Sequence, residues 1–200
     1  MFTGIIQAIG QIKAKITQEK GAVFSFSSTD LDFSTVAIGD SIAVNGVCLT
    51  VIEINDDSFK ADVSEETLDC SILGDLEVGN SINLEKALRF NQAIDGHLVS
   101  GHIDGQGEIV DKTSEGDSAR FKIKTPSNLV KYIARKGSIT VNGVSLTVNS
   151  IAGNVFDVNI VPHTLRVTTL GQLEVDMPVN LEVDIIARHL EQLMGSSNNK

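Results

Sequence analysis

Cys48, Thr50, Ser145 and Thr147 can each give or take a proton or a hydrogen bond, and they hold matching places in two copies of one octapeptide. Val44-Asn45-Gly46-Val47-Cys48-Leu49-Thr50-Val51 returns 97 residues later as Val141-Asn142-Gly143-Val144-Ser145-Leu146-Thr147-Val148. Side chains alternate across a strand, so Val47, Leu49 and Val51 share one face and Cys48 and Thr50 the other. The apolar set is expected inside a barrel and the polar pair outside, where small side chains let a flat ligand approach the backbone. A blander reading makes the Asn-Gly hairpin and outward threonines ordinary barrel features. It accounts for the turn, but less well for small residues where Lys or Glu would serve.

His97 and His102 lie in Gly96-His97-Leu98-Val99-Ser100-Gly101-His102-Ile103-Asp104-Gly105. Five-residue spacing on a strand would put the two imidazoles on opposite faces, and no third ligand is evident, so a metal site is not expected. His102 suits proton transfer, since an imidazole ordinarily titrates near pH 6.5, roughly at working pH. Cys48 has no neighbouring base in sequence and is read as a proton-handling or polar contact residue, not as a nucleophile. Differences between the copies stand out beside the matches. Ile5 faces His102, Glu66 faces His163 and Cys48 faces Ser145 at the same offset.

The elements that must position these residues repeat as well. Ser41-Ile42 falls on Ser138-Ile139, Thr67-Leu68 on Thr164-Leu165 and Asn83-Leu84-Glu85 on Asn180-Leu181-Glu182, without an insertion. Such uniformity marks a tandem domain duplication. Phe2 to Ile16, Val23 to Ser27, Ser41 to Ile54 with its Asn45-Gly46 hairpin, Ser58 to Val63 and Ser81 to Glu85 read as strands. Ser64 is the expected N-cap of a short helix beginning at Glu65. The fold class expected is all-β: a duplicated six-stranded antiparallel Greek-key barrel, closed so that no edge is left bare, plus a C-terminal helix. The units are placed at 1–97 and 98–184, with a helix at 185–195 and a disordered tail at 196–200. Asp184 is the expected cap of that helix and Gly195 its stop. Ile185, Ile186, Leu190, Leu193 and Met194 form an apolar stripe that needs a barrel or another subunit, and a subunit interface is favoured.

A net charge of -10 and a pI near 4.7 argue against a nucleic-acid partner. Two cysteines outside any pairing framework are expected as free thiols of a reducing compartment. The start lacks signal-peptide features and no apolar run nears the roughly 18 residues of a membrane span, so a cytoplasmic, membrane-free protein is expected.

In Met1-Phe2-Thr3-Gly4-Ile5, the duplicated V-N-G-V-[CS]-L-T, the Gly96-His97 to Gly101-His102-Ile103 junction and Pro162-His163-Thr164-Leu165, the chain resembles the α-chain type of riboflavin synthase. The resemblance implies two Greek-key barrels and a helix joining three subunits, with active sites between subunits. It implies the dismutation of two molecules of 6,7-dimethyl-8-ribityllumazine to riboflavin and 5-amino-6-(D-ribitylamino)uracil, without metal or redox cofactor. Lumazine synthase is the protein partner it suggests. Carried over by position, the first-barrel site would use Gly4, Ile5, Ile6, Cys48, Leu49, Thr50, Asp62, Val63, Ser64, Glu65, Glu66 and Thr67. The second would use Gly101, His102, Ile103, Lys136, Ser145, Leu146, Thr147, Asn159, Ile160, Val161, Pro162, His163 and Thr164. His102 would move protons with help from Ser145 and Thr147, Cys48 and Phe2 would shape the opposing site, and Asp184 would lie near. Lumazine proteins, which bind the chromophore without turning it over, are the rival class. A purely structural trimer is a weaker third reading, because it leaves the outward polar faces unexplained.

Overall fold

The computed structural model describes residues 1–197. Six strands make the first barrel: β1 (Ala8–Thr17), β2 (Ala22–Ser27), β3 (Ser41–Val44), β4 (Val47–Ile54), β5 (Ser58–Val63) and β6 (Ser81–Lys86). The second consists of β7 (Gly105–Glu115), β8 (Ser118–Lys124), β9 (Ser138–Val141), β10 (Val144–Ala152), β11 (Val155–Ile160) and β12 (Pro178–Val183). Both close antiparallel in the same order, β1-β2-β5-β4-β3-β6 and its counterpart β7-β8-β11-β10-β9-β12. In each, three consecutive strands form a meander and the sixth returns beside the first of them, which is the Greek-key arrangement expected. The return path carries a short helix, α1 (Glu65–Cys70) or α2 (Pro162–Val167). Ser64 caps α1 by accepting the Thr67 amide at 3.2 Å.

The alternation read from sequence sets the cores. Val47, Leu49 and Val51 are buried while Thr50 is exposed, and Val144, Leu146 and Val148 repeat the pattern against Thr147. Phe24, Phe26, Phe59 and Phe33 pack ring to ring in the first barrel, with neighbouring centroids 5.1 to 6.1 Å apart. The second barrel centres on Phe121 and Phe156 among aliphatic residues. Register shifts that bend the strands fall at equivalent places, Ile12/Ala14 and Ile109/Asp111, then Val51/Glu53 and Val148/Ser150. Extra residues there increase local twist and let six strands close.

Asparagines join the barrels about a local two-fold axis. Asn83 Nδ2 donates to the Asn142 carbonyl and Asn180 Nδ2 to the Asn45 carbonyl, both at 2.9 Å. Their Oδ1 atoms accept the Thr169 and Ile72 amides at 2.7 and 2.8 Å. All four asparagines are buried, so each of these bonds satisfies a group that water cannot reach. The Asn-Gly turns meet back to back: a Cβ on Gly143 would lie 2.6 Å from the Gly46 amide nitrogen, so only glycine fits.

Three local expectations differ. β1 begins at Ala8, not Phe2, because Gly4 takes φ +75° and the amides of Thr3 and Gly4 bond to the Glu85 carboxylate instead of a ladder. The segment holding His97 and His102 likewise has no strand beyond the Phe2–Val99 bridge. The terminal helix α3 spans Ile185–Ser197 and passes through Gly195, since one glycine costs a helix only about 1 kcal/mol and does not end it alone. Of the tail expected at 196–200, residues 198–200 lie outside the described residues. Asp184 caps α3 as anticipated, its Oδ1 accepting the Ile186 amide at 2.9 Å. Ile186, Leu190, Leu193 and Met194 are each more than half exposed, so the stripe is not buried on the chain's own barrels.

Candidate functional site

The starts of the two copies are exchanged. The Gly4 carbonyl accepts the Ser145 amide of the second barrel at 2.8 Å, and the Gly101 carbonyl accepts the Cys48 amide of the first at the same distance. Ile6 packs on the core of the second barrel and Ile103 on that of the first. Both glycines have positive φ, and a Cβ on either would come 2.6 Å from the Cβ of Ser145 or Cys48. No other residue permits this approach. The grouping expected from sequence is therefore corrected. Gly4, Ile5 and Ile6 stand with the Ser145 face, and Gly101, His102 and Ile103 with the Cys48 face. A constant offset reveals equivalence between copies but not which copy a crossing segment touches.

On the first barrel Cys48 is half-buried and Thr50 exposed on β4, while Asp62, at the end of β5, and Ser64, Glu65 and Glu66 are exposed at the start of α1. Thr67 closes this group by hydrogen bonding to Ser64, their hydroxyl oxygens 2.9 Å apart. Leu49 and Val63 point into the core, so only their backbones can face a ligand. Phe2 is fully buried and packs with Ala43, Val99 and Cys48 beneath this face. The side chain of His102 is exposed on the segment that crosses above. This face offers a thiol, hydroxyls, carboxylates and an imidazole.

On the second barrel Ser145 and Thr147 project from β10, and Asn159 from β11, where its Nδ2 donates to Glu115 at 2.7 Å. Leu146 and Ile160 fill the core, and Val161, Pro162, His163 and Thr164 form the start of α2. Lys136 precedes β9 at φ +67°, its amide bonded to the Val148 carbonyl at 2.7 Å. The imidazole that meets Ser145 belongs to His97, with Nδ1 and Oγ 2.8 Å apart, and not to His102. Burial lowers the His97 pKa below the usual imidazole value, opposed by the nearby Asp184 carboxylate. A neutral imidazole protonated on Nε2 can take the hydroxyl proton at Nδ1, so Ser145 and His97 together can move a proton.

Two buried carboxylates hold the crossing segments. Glu85 accepts the amides of Thr3 and Gly4 at 2.7 and 3.0 Å, and Glu182 those of Ser100 and Gly101 at 2.7 and 2.9 Å. Burial raises both pKa values, Glu182 to about 7. Sequence reasoning assigned a role to neither carboxylate, nor to His97. The recurrence of Asn-Leu-Glu at 83–85 and 180–182 was the available signal, because a strand residue repeated with its charge is rarely solvated decoration. His97 has no first-copy counterpart, so the offset could not mark it.

A lumazine binding domain model matches the chain twice, at residues 3–87 and 100–184. A riboflavin synthase of Photobacterium phosphoreum is 44% identical over 194 residues, covering 97% of this chain and 89% of that protein. Its Bacillus subtilis namesake is 35% identical over 198 residues, covering 99% and 92%. Among solved structures, LumP complexed with riboflavin superposes with a TM-score of 0.85 at 30% identity, covering 92% of this chain and 99% of that one. LumP complexed with 6,7-dimethyl-8-(1'-D-ribityl) lumazine gives 0.82 at 29% identity, with the same coverage. Two closed barrels, two matched domains and curated relatives alike over nearly their whole length leave one assignment: the chain belongs to the riboflavin synthase family of enzymes.

Proposed function

We propose that the protein converts two molecules of 6,7-dimethyl-8-ribityllumazine into riboflavin and 5-amino-6-(D-ribitylamino)uracil, one molecule ceding a four-carbon unit to the other. The observation that carries this reading is the pair of equivalent but chemically unequal faces, each completed by the start of the other copy. A dismutation needs two identical molecules in different roles, and holding both in reacting geometry supplies much of the rate. Backbone groups of residues 48–50 and 145–147 would meet the ring edge, and the residues of 62–67 and 159–164 the ribityl chain. Where the Cys48 face of one subunit meets the Ser145 face of another, His102 from the first and the Ser145–His97 pair from the second would handle the proton of the acidic C7 methyl, with Thr147 and Asp184 beside that pair. Lys136 and Cys48 would complete the walls, with Phe2 packed beneath Cys48 to hold it in place.

The assembly we infer is a cytoplasmic homotrimer with its active sites between subunits, and lumazine synthase is its candidate partner. The open stripe of α3 supports this, as do the exposed Ile5, Leu98 and Val161 beside the two faces. Likeness to the LumP structures favours one second reading, a chromophore binder without turnover. Incubating the protein with 6,7-dimethyl-8-ribityllumazine separates the two: riboflavin should accumulate, whereas a shifted spectrum without product would establish the binder.

A further inference from the structure

We infer that Arg188 of the terminal helix is a positioning residue that clamps the His102 segment over the Cys48 face, an inference that rests on the function proposed above. Its Nη2 donates to the Asp104 carboxylate at 2.6 Å and to the His102 carbonyl at 3.1 Å. Asp104 Oδ2 also accepts the Val183 amide at 2.7 Å, where β12 runs into α3. With Glu182 holding the Ser100 and Gly101 amides, the segment is tied to the β12–α3 junction at Ser100, Gly101, His102 and Asp104.

The first copy shows what the bare frame requires. There Gln7 stands for Asp104, and its Oε1 accepts the Lys86 amide at 3.1 Å, so a neutral side chain suffices to close the barrel. The Lys86 ammonium turns away to the Asp32 carbonyl and Thr35 hydroxyl. The copy whose segment carries an imidazole thus also carries the acid and the arginine; the copy whose segment carries Ile5 has neither. The arginine's Nε is buried without a partner among the described residues, a cost that a side chain free to swing into water would not bear. That cost fits a guanidinium held for its two acceptors.

The clamp also gives α3 a task within its own chain, distinct from joining subunits. Ile186, Leu190, Leu193 and Met194 form the open stripe, while Arg188 reaches back to the segment. Fixing the helix against a neighbouring subunit would then fix His102 as well.

The test compares wild type with Arg188→Ala, Arg188→Lys and Asp104→Gln, the last copying the first barrel. Sedimentation, thermal unfolding, lumazine turnover and hydrogen exchange over residues 98–104 are measured for each. Arg188→Ala is expected to keep the wild-type assembly and to exchange at least about tenfold faster over 98–104, leaving β4 unchanged. Its kcat should fall about tenfold with KM nearly constant, as when a group acting in the transition state loses its place. Arg188→Lys should recover part of both, and Asp104→Gln should resemble Arg188→Ala. Unaltered exchange over 98–104 in Arg188→Ala would overturn the inference, and so would a kcat loss explained wholly by dissociation. If wild type made no riboflavin, the proposed function would fall while the exchange data still decided the clamp.

Discussion

The two barrels share strand order, bulge positions and reciprocal asparagines, yet their outward faces have diverged. One presents Cys48 and Asp62 under a segment bearing His102. The other presents Ser145 and Asn159 with His97 against the serine, under a segment bearing Ile5. Their shared parts are buried and constrained by packing, where a change of even one methylene is felt. The cores differ only in which apolar residues fill them, Phe26 against Ile123 for example, whereas the faces differ at groups that carry protons. Duplication followed by change at the face alone is a direct route from a site that binds two equal molecules to one that treats them unequally.

Removing α3 is expected to disturb this arrangement most. A chain ending at Asp184 should lose turnover by about 100-fold or more, because both subunit contact and the hold on His102 go, while strand circular dichroism persists. Turnover close to wild type in that truncation would refute a role for the helix. Next come the crossing glycines. Gly101→Ala and Gly4→Ala each place a methyl 2.6 Å from a partner Cβ at positive φ, and each should cost about 2 to 4 kcal/mol in urea unfolding. Similar losses from the two would support equivalent exchange; a loss from one alone would break the symmetry.

At the faces themselves, His102→Gln and Ser145→Ala should each slow turnover about tenfold to a hundredfold without abolishing it, since positioning supplies the larger share. Complete loss of activity in a folded, wild-type-like assembly would contradict that ranking. The smallest effect concerns pH. The folded chain keeps the Glu182 proton to about 7, against an ordinary 4.5. Its contribution to stability is therefore full below the lower value and declines as pH rises to the upper one. In Glu182→Gln the decline over that window should shrink, with Glu85 keeping its own part, and an unchanged slope would show that Glu182 does not titrate there.

Much of the frame was legible in sequence because local rules wrote it. Strand alternation placed Val47, Leu49 and Val51 inside and Thr50 outside, Asn45-Gly46 formed the hairpin, and Ser64 and Asp184 capped their helices. The exchange of starts was not legible. It depends on the Gly4 carbonyl meeting the Ser145 amide and the Gly101 carbonyl meeting the Cys48 amide, contacts between distant parts of the chain that follow no local pattern. Pairing His102 with Ser145 failed for the same reason, and His97 took that place because the crossing segment brings it there. Leu49, Leu146, Val63 and Ile160 entered the candidate face by position, although alternation already sends their side chains inward.

The central claim is that the two faces hold two copies of one substrate in unequal roles. The most direct test is the stoichiometry of product formation from pure 6,7-dimethyl-8-ribityllumazine. Two lumazines consumed for each riboflavin formed, with one 5-amino-6-(D-ribitylamino)uracil released and no other reagent required, is the predicted result. Riboflavin formed from each lumazine one to one with an added carbon donor, or saturable binding with no product, would contradict it.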